Sequence, residues 1–96
     1  MARPKALEPA EVTRRLEDLE GWALEGGKLH RDFVFADFVA AMGFMTRCAL
    51  HAEKLDHHPE WSNVYNRVAV DLTTHDANGI TELDFALAGR MDELAR

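Results

Sequence analysis

Twice along this chain a β-like run breaks at a two-residue turn, and a helical period stands before, between and after the two breaks. Trp22-Ala23-Leu24-Glu25 and Lys28 to Phe35 flank Gly26-Gly27, which tolerates the positive φ of a tight hairpin. Leu29, Phe33 and Phe35 share one face of that hairpin, and Arg31 interrupts the phase. Trp61 to Tyr65 and Val68 to Thr74, rich in β-branched and aromatic residues, flank Asn66-Arg67 as a second turn. Val68, Val70 and Leu72 alternate with Ala69, Asp71 and Thr73.

Three helices fill the remaining chain. Pro9 suits a first helical position with Glu8 as the flanking cap, Leu7 and Val12 stand at staple spacing, and Gly21 suits the stop. Val12, Leu16 and Leu19 form its stripe. From Asp37, Phe38, Met42, Met45, Ala49 and Ala52 make a second stripe that Ala41, Phe44, Cys48 and Leu55 broaden. So wide a face predicts two partners, the helix's own sheet and either more core or a second subunit. Thr81 and Asp84 stand at capping-box spacing ahead of Leu83, Leu87, Met91 and Leu94. The order α-β-β-α-β-β-α predicts an α+β fold, a four-stranded antiparallel sheet with helices on one face. At 96 residues the chain reads as a single domain over 1–96.

Composition narrows the function classes. Apolar residues at 47% allow a core and charged ones at 29% a soluble surface. The net charge of −6 repels phosphate backbones, which argues against direct nucleic-acid binding. No apolar run approaches the roughly 20 residues of a membrane helix. Met1-Ala2-Arg3-Pro4-Lys5 shows no apolar signal core, and Cys48, the lone cysteine, cannot form an internal disulfide. A cytoplasmic location is the expectation.

Four of the five histidines fall between residues 51 and 75, two of them adjoining in Asp56-His57-His58-Pro59. Pro59 disfavours helix at His58, so both rings are expected at the helix C-terminus. That partially negative end, with Asp56 adjacent and Glu53 four residues before His57, favours the protonated imidazolium, a proton donor near neutral pH. Histidines also favour helix C-termini merely to satisfy loose carbonyls, and position alone does not separate the two readings. Metal binding fits the spacing poorly. His51 and His57 are six apart and point to different sides of a helix, with no H-E-x-x-H or cysteine pair present. Cys48 lies in an apolar stripe, and Ser62, the only serine, has no elbow motif, so no nucleophile stands out. Near the end of the second hairpin, Thr73, Thr74, His75 and Asp76 could hydrogen-bond a polar heterocycle or form an ordinary exposed loop. His30 falls on the polar phase of its strand and reads as surface.

One spaced pattern joins these residues: Glu53-x-x-x-His57-His58-Pro59, Tyr65 after five residues, His75 after nine more and Asp84 after eight more. It resembles the signature of pterin-4a-carbinolamine dehydratases, which in animals also serve as dimerisation cofactors of a homeodomain transcription factor. The likeness runs from Phe35 through the last helix and includes Gly43-Phe44-Met45-Thr46-Arg47, the stretch Ala52 to Trp61, and Asn63-Val64-Tyr65-Asn66. It implies dehydration of a 4a-hydroxytetrahydropterin to quinonoid dihydropterin, in recycling the pterin of aromatic amino acid hydroxylases, with no cofactor or metal required.

By that resemblance His57, His58 and His75 are the site histidines. Asp56, Thr73, Thr74 and Asp76 stand at substrate-contact positions, and Glu53 and Asp84 at supporting ones. Trp61 fits a pocket wall or a core position equally well. The resemblance also implies a homotetramer or homodimer. Ser62, Ala69 and Asp76 replace an aromatic residue, a histidine and a glutamate of familiar animal members, changes that leave the spaced motif whole but bear on the coactivator role. A non-catalytic oligomerisation or transcriptional coactivator module is the competing expectation. Such a module has no need of the three histidines together.

Overall fold

The computed structural model describes residues 3–96. Met1 and Ala2, part of the N-terminal run read above, lie outside the described residues. The elements are α1 (Pro9–Leu16), β1 (Ala23–Glu25), β2 (Lys28–Val34), α2 (Phe38–Leu55), β3 (Glu60–Val64), β4 (Arg67–Leu72) and α3 (Glu82–Leu94). A single 3-10 turn, His75–Ala77, follows β4. The strands stand in the order β1-β2-β4-β3 and every neighbouring pair is antiparallel, so the chain has the α+β architecture expected.

The sheet's alternation explains why the helices gather on one side. Leu29 and Phe33 of β2 and Val68, Val70 and Leu72 of β4 are buried, and they join Val12 of α1, Ala41, Phe44 and Cys48 of α2, and Leu87, Ala88 and Met91 of α3 in one core. Each large apolar side chain so buried contributes about 1.5–3 kcal/mol. Phe44 ties α2 to the sheet, its ring centroid 4.8 Å from those of both Phe33 and Phe35. Arg31 breaks the apolar phase without disrupting it. Its guanidinium lies over the Phe33 ring at 4.5 Å and donates to Asp92 at 2.7 Å, so the aliphatic stem covers core while the charge is paired.

Turns depart from the sequence expectation in two places. Helix α1 ends at Leu16, and a series of turns leads from there to Gly21, which takes φ +90° beside the Arg31 guanidinium. Glu8 holds the cap position as read, with extended backbone and no side-chain capping bond. The second hairpin turns at Tyr65-Asn66, one residue earlier than Asn66-Arg67, because Arg67 already pairs with Val64 and with Val34. Tyr65 accepts φ +50°, while Asn66 is spent on Phe35: its Nδ2 donates to the Phe35 carbonyl and its carbonyl accepts the Phe35 N–H. Gly26 and Gly27, at φ +58° and +77°, form the first turn as read.

Two devices position the site. At the end of α2, Asp56 enters the left-handed region (φ 51°, ψ 45°) and His57 N–H donates back to Ala52 O at 3.0 Å, a Schellman-type reversal that turns His57 inward. Ahead of α1, Leu7 N–H donates to Ile80 O at 2.8 Å, which lays the N-terminal arm beside the entry to α3.

Candidate active site

Because Asp56 reverses the chain, the two adjoining histidines part company. The His57 side chain is 5% exposed and its Nε2 lies 2.5 Å from Asp84 Oδ1, itself wholly buried. The other Asp84 oxygen accepts the Thr81 backbone N–H at 2.9 Å and the Thr74 hydroxyl at 2.8 Å. Thr74 and Thr81 hydroxyls are 2.8 Å apart, and Thr81 Oγ1 accepts Leu83 N–H. One carboxylate therefore both caps α3 and holds His57, and its charge is met by three donors, as a buried carboxylate requires.

Arg3 Nη2 stands 3.5 Å from His57 Nδ1. A guanidinium only donates, so Nδ1 is the acceptor and the ring proton sits on Nε2, facing Asp84. The expectation that Glu53, four residues before, would meet His57 is corrected. Asp84 holds His57 across the cavity wall's buried side, and Glu53 meets His58 instead, Oε1 to Nε2 at 2.6 Å.

His58 and His75 are exposed, 57% and 76% by side chain, and each is held by a carboxylate. His75, the first residue of the 3-10 turn, places Nε2 2.8 Å from Glu60 Oε2, and Lys28 Nζ lies 2.5 Å from the other oxygen of Glu60. Lys28 first and His75 second hold the Glu60 carboxyl below its ordinary range.

The three histidines line one cavity of about 290 Å³ with Asp56, Thr73, Thr74, Asp76 and Arg3. That volume is at the small end for ligand pockets, enough for a flat heterocycle and too little for a dinucleotide. Glu53 and Asp84 are not lining residues; they stand behind His58 and His57. His51 is elsewhere, in a hollow between α2 and α3 with Lys54 and Arg90. Trp61 is partly buried against the core and does not line the cavity. His30, read as surface, is instead half-buried between Asp71 and Asp32, at 2.9 and 3.2 Å.

Sequence reasoning missed Arg3 and Glu60. Arg3 sits in no periodic element, and only the Leu7 to Ile80 pairing brings its arm to the cavity. Glu60 opens β3, and its reach to His75 depends on β3 lying against β4. Burial pushes the Cys48 thiol up to about 12, which leaves it without nucleophilic character at neutral pH. Among the described residues, no group of three or more His, Cys, Asp or Glu stands together as a metal site, and no helix is long and apolar enough to cross a membrane.

Known proteins resemble this chain over nearly its whole length. The family described as "Pterin 4 alpha carbinolamine dehydratase" matches residues 5–94. A protein of Solibacter usitatus (strain Ellin6076) is 55% identical, covering 93% of this chain and 94% of its own length. One from Chelativorans sp. (strain BNC1) is 58% identical, covering 99% and 98%. Both carry the name "Putative pterin-4-alpha-carbinolamine dehydratase". A crystal structure from Brucella melitensis, of a "transcriptional coactivator/pterin dehydratase", is 49% identical with a TM-score of 0.92, and the match covers 96% of this chain and all of that one. The chain, whose spaced histidines meet at one small polar cavity, belongs to the pterin-4-alpha-carbinolamine dehydratase family of hydro-lyases.

Proposed function

We propose that the protein converts 4a-hydroxytetrahydropterin to quinonoid dihydropterin and water by histidine general acid and base catalysis. The observation that carries this reading is the convergence of His57, His58 and His75 on one cavity with Asp56, Thr73, Thr74 and Asp76. Loss of hydroxide from the 4a carbon is slow unless the leaving oxygen is protonated as the C–O bond breaks, while a ring nitrogen supplies the electron pair and gives up its proton. His57, oriented by Asp84 behind Nε2–H, takes that proton at Nδ1 once the substrate displaces the 3.5 Å Arg3 contact from that lone pair. His75, held through Nε2 by Glu60, is the acid of this reading and gives a ring proton to the leaving oxygen. His58, against Glu53, is the second donor. Asp56, Thr73 and Asp76 offer acceptors and a hydroxyl to the heterocycle's edge, while Thr74, which also lines the cavity, spends its hydroxyl on Asp84.

The whole chain acts in this reading as one domain, in the cytoplasm, within a homodimer or homotetramer. Support for assembly comes from Phe38, Val39, Met42 and Leu50, exposed apolar residues on the outer side of α2. That same face favours the second reading, an oligomerisation or coactivator module, which the name of the Brucella protein also bears. The deciding experiment follows dehydration of 4a-hydroxytetrahydropterin by ultraviolet absorbance. His75→Ala lowers the accelerated rate by about 10²-fold or more, the usual contribution of a general acid, with assembly by sedimentation unchanged. An unaltered rate removes His75 from the reaction, and a wild-type protein that does not accelerate dehydration leaves the module reading standing.

A further inference from the structure

Arg3 is the cavity-lining residue that the N-terminal arm supplies, and that arm is tied to the rest of the fold. Leu7 N–H bonds Ile80 O at 2.8 Å, and Ala6 Cβ lies only 3.1 Å from where a Cβ on Gly79 would stand, so the arm packs closely on the backbone leading into α3. From there the guanidinium reaches over the cavity. Nη2 meets His57 Nδ1 at 3.5 Å, Nε lies 3.6 Å from Asp76 Oδ2, and Nη1 lies 4.0 Å from Asp56 Oδ2. The two carboxylate distances are ion-pair distances, too long for hydrogen bonds. Arg3 Nε is buried and has no hydrogen-bond partner among the described residues.

A buried N–H with a fixed direction and no acceptor is uncommon in folded proteins and calls for a specific explanation. The guanidinium that carries it belongs to a residue lining the same cavity as His57 and His75. The group that would satisfy it must accept a hydrogen bond, lie flat against a planar fork and fit among histidine rings and threonine hydroxyls.

We propose that Arg3 is a substrate-binding residue, which on binding turns from the His57 Nδ1 lone pair to donate to the carbonyl oxygen of the bound pterin ring. The identity of the ligand rests on the dehydratase reading. The carbonyl is the strongest acceptor the ring offers, and a charge-assisted bond from a guanidinium both holds and orients it.

Two variants of the full chain test this, Arg3→Met and Arg3→Lys, with 7,8-dihydrobiopterin as a stable binding probe and dehydration kinetics alongside. Arg3→Met is expected to raise both the dissociation constant for the probe and KM by about tenfold, with kcat changed less than about threefold and the thermal midpoint retained. Arg3→Lys, which keeps a donor and the charge but not the fork, recovers part of the loss. Probe binding by Arg3→Met within twofold of wild type overturns the assignment. So does a loss that Lys fails to relieve and that follows a fall in thermal midpoint, since the arm would then act only through folding. A wild-type chain that binds the probe but dehydrates nothing counts against the catalytic reading alone, and the Arg3 variants still decide the binding role.

Discussion

His57 and His58 are adjacent in sequence and opposite in circumstance. The first is buried, bonded to a carboxylate that also starts α3, and faced by an arginine from the N-terminal arm. The second, like His75, stands in the open against one surface carboxylate. A histidine of the first kind is part of the fold's polar network, and its orientation is set by donors and acceptors that cannot move without disturbing the core. Histidines of the second kind are tethered, not embedded. The difference teaches that one cavity can combine an embedded histidine with tethered ones, and that stability and activity should separate between the two sides.

The most severe way to break the contrast is Asp84→Ala. It leaves His57 Nε2, the Thr74 hydroxyl and the Thr81 N–H without their acceptor inside the protein, a loss of about 3–5 kcal/mol. Urea denaturation checks this, and a midpoint equal to wild type would show that the network carries no stability. Activity should vanish along with it. Glu60→Gln, on the exposed side, sharpens the comparison from the other direction. The urea midpoint should stay put while kcat drops by a few fold, since the ring of His75 loses its charged partner but little packing. A shifted midpoint with unaltered kcat would invert the roles assigned to the two sides.

His30 offers the smallest and most specific test, being neither embedded nor open. Hydrogen bonding to Asp71 first and Asp32 second raises it above the ordinary value of 6.5, against the opposing effect of burial. A histidine raised on folding contributes stability that is fully present below pH 6.5 and fades as pH climbs through the folded value. The difference in thermal midpoint between wild type and His30→Gln should therefore be largest near pH 6 and shrink toward pH 9. An equal difference at both ends would mean that the ring acts by packing and not by charge.

Much of the fold was legible because period is a local property. The stripes of α2 and α3 and the alternation of β4 each repeat often enough to define a buried face. Boundaries were less legible. The stretch after Leu16 keeps an apolar Leu19 but runs as turns, and the second hairpin places Tyr65, not a glycine or asparagine, at positive φ because the register of β4 against both β2 and β3 decides where the chain reverses. In the cavity, His57, His58, His75, Asp56, Thr73, Thr74 and Asp76 could be named from a spaced motif. Which of these rings is sheltered could not, since Asp56 turning left-handed separates two neighbours that a continued helix would have kept together.

What the amino-acid order determined by itself was a set of elements, their apolar faces and the types of side chain at their ends, all governed by contacts between near neighbours. What only the tertiary structure decided was pairing across distance. Asp84 serves His57, Glu60 serves His75 and Arg3 crosses from the arm, over separations of 27, 15 and 54 residues in the order given, with the Arg3 figure counted to His57. Hydrogen bonds and ion pairs act over a few ångströms, so such partners are specified only when packing of the core has already brought their backbones together.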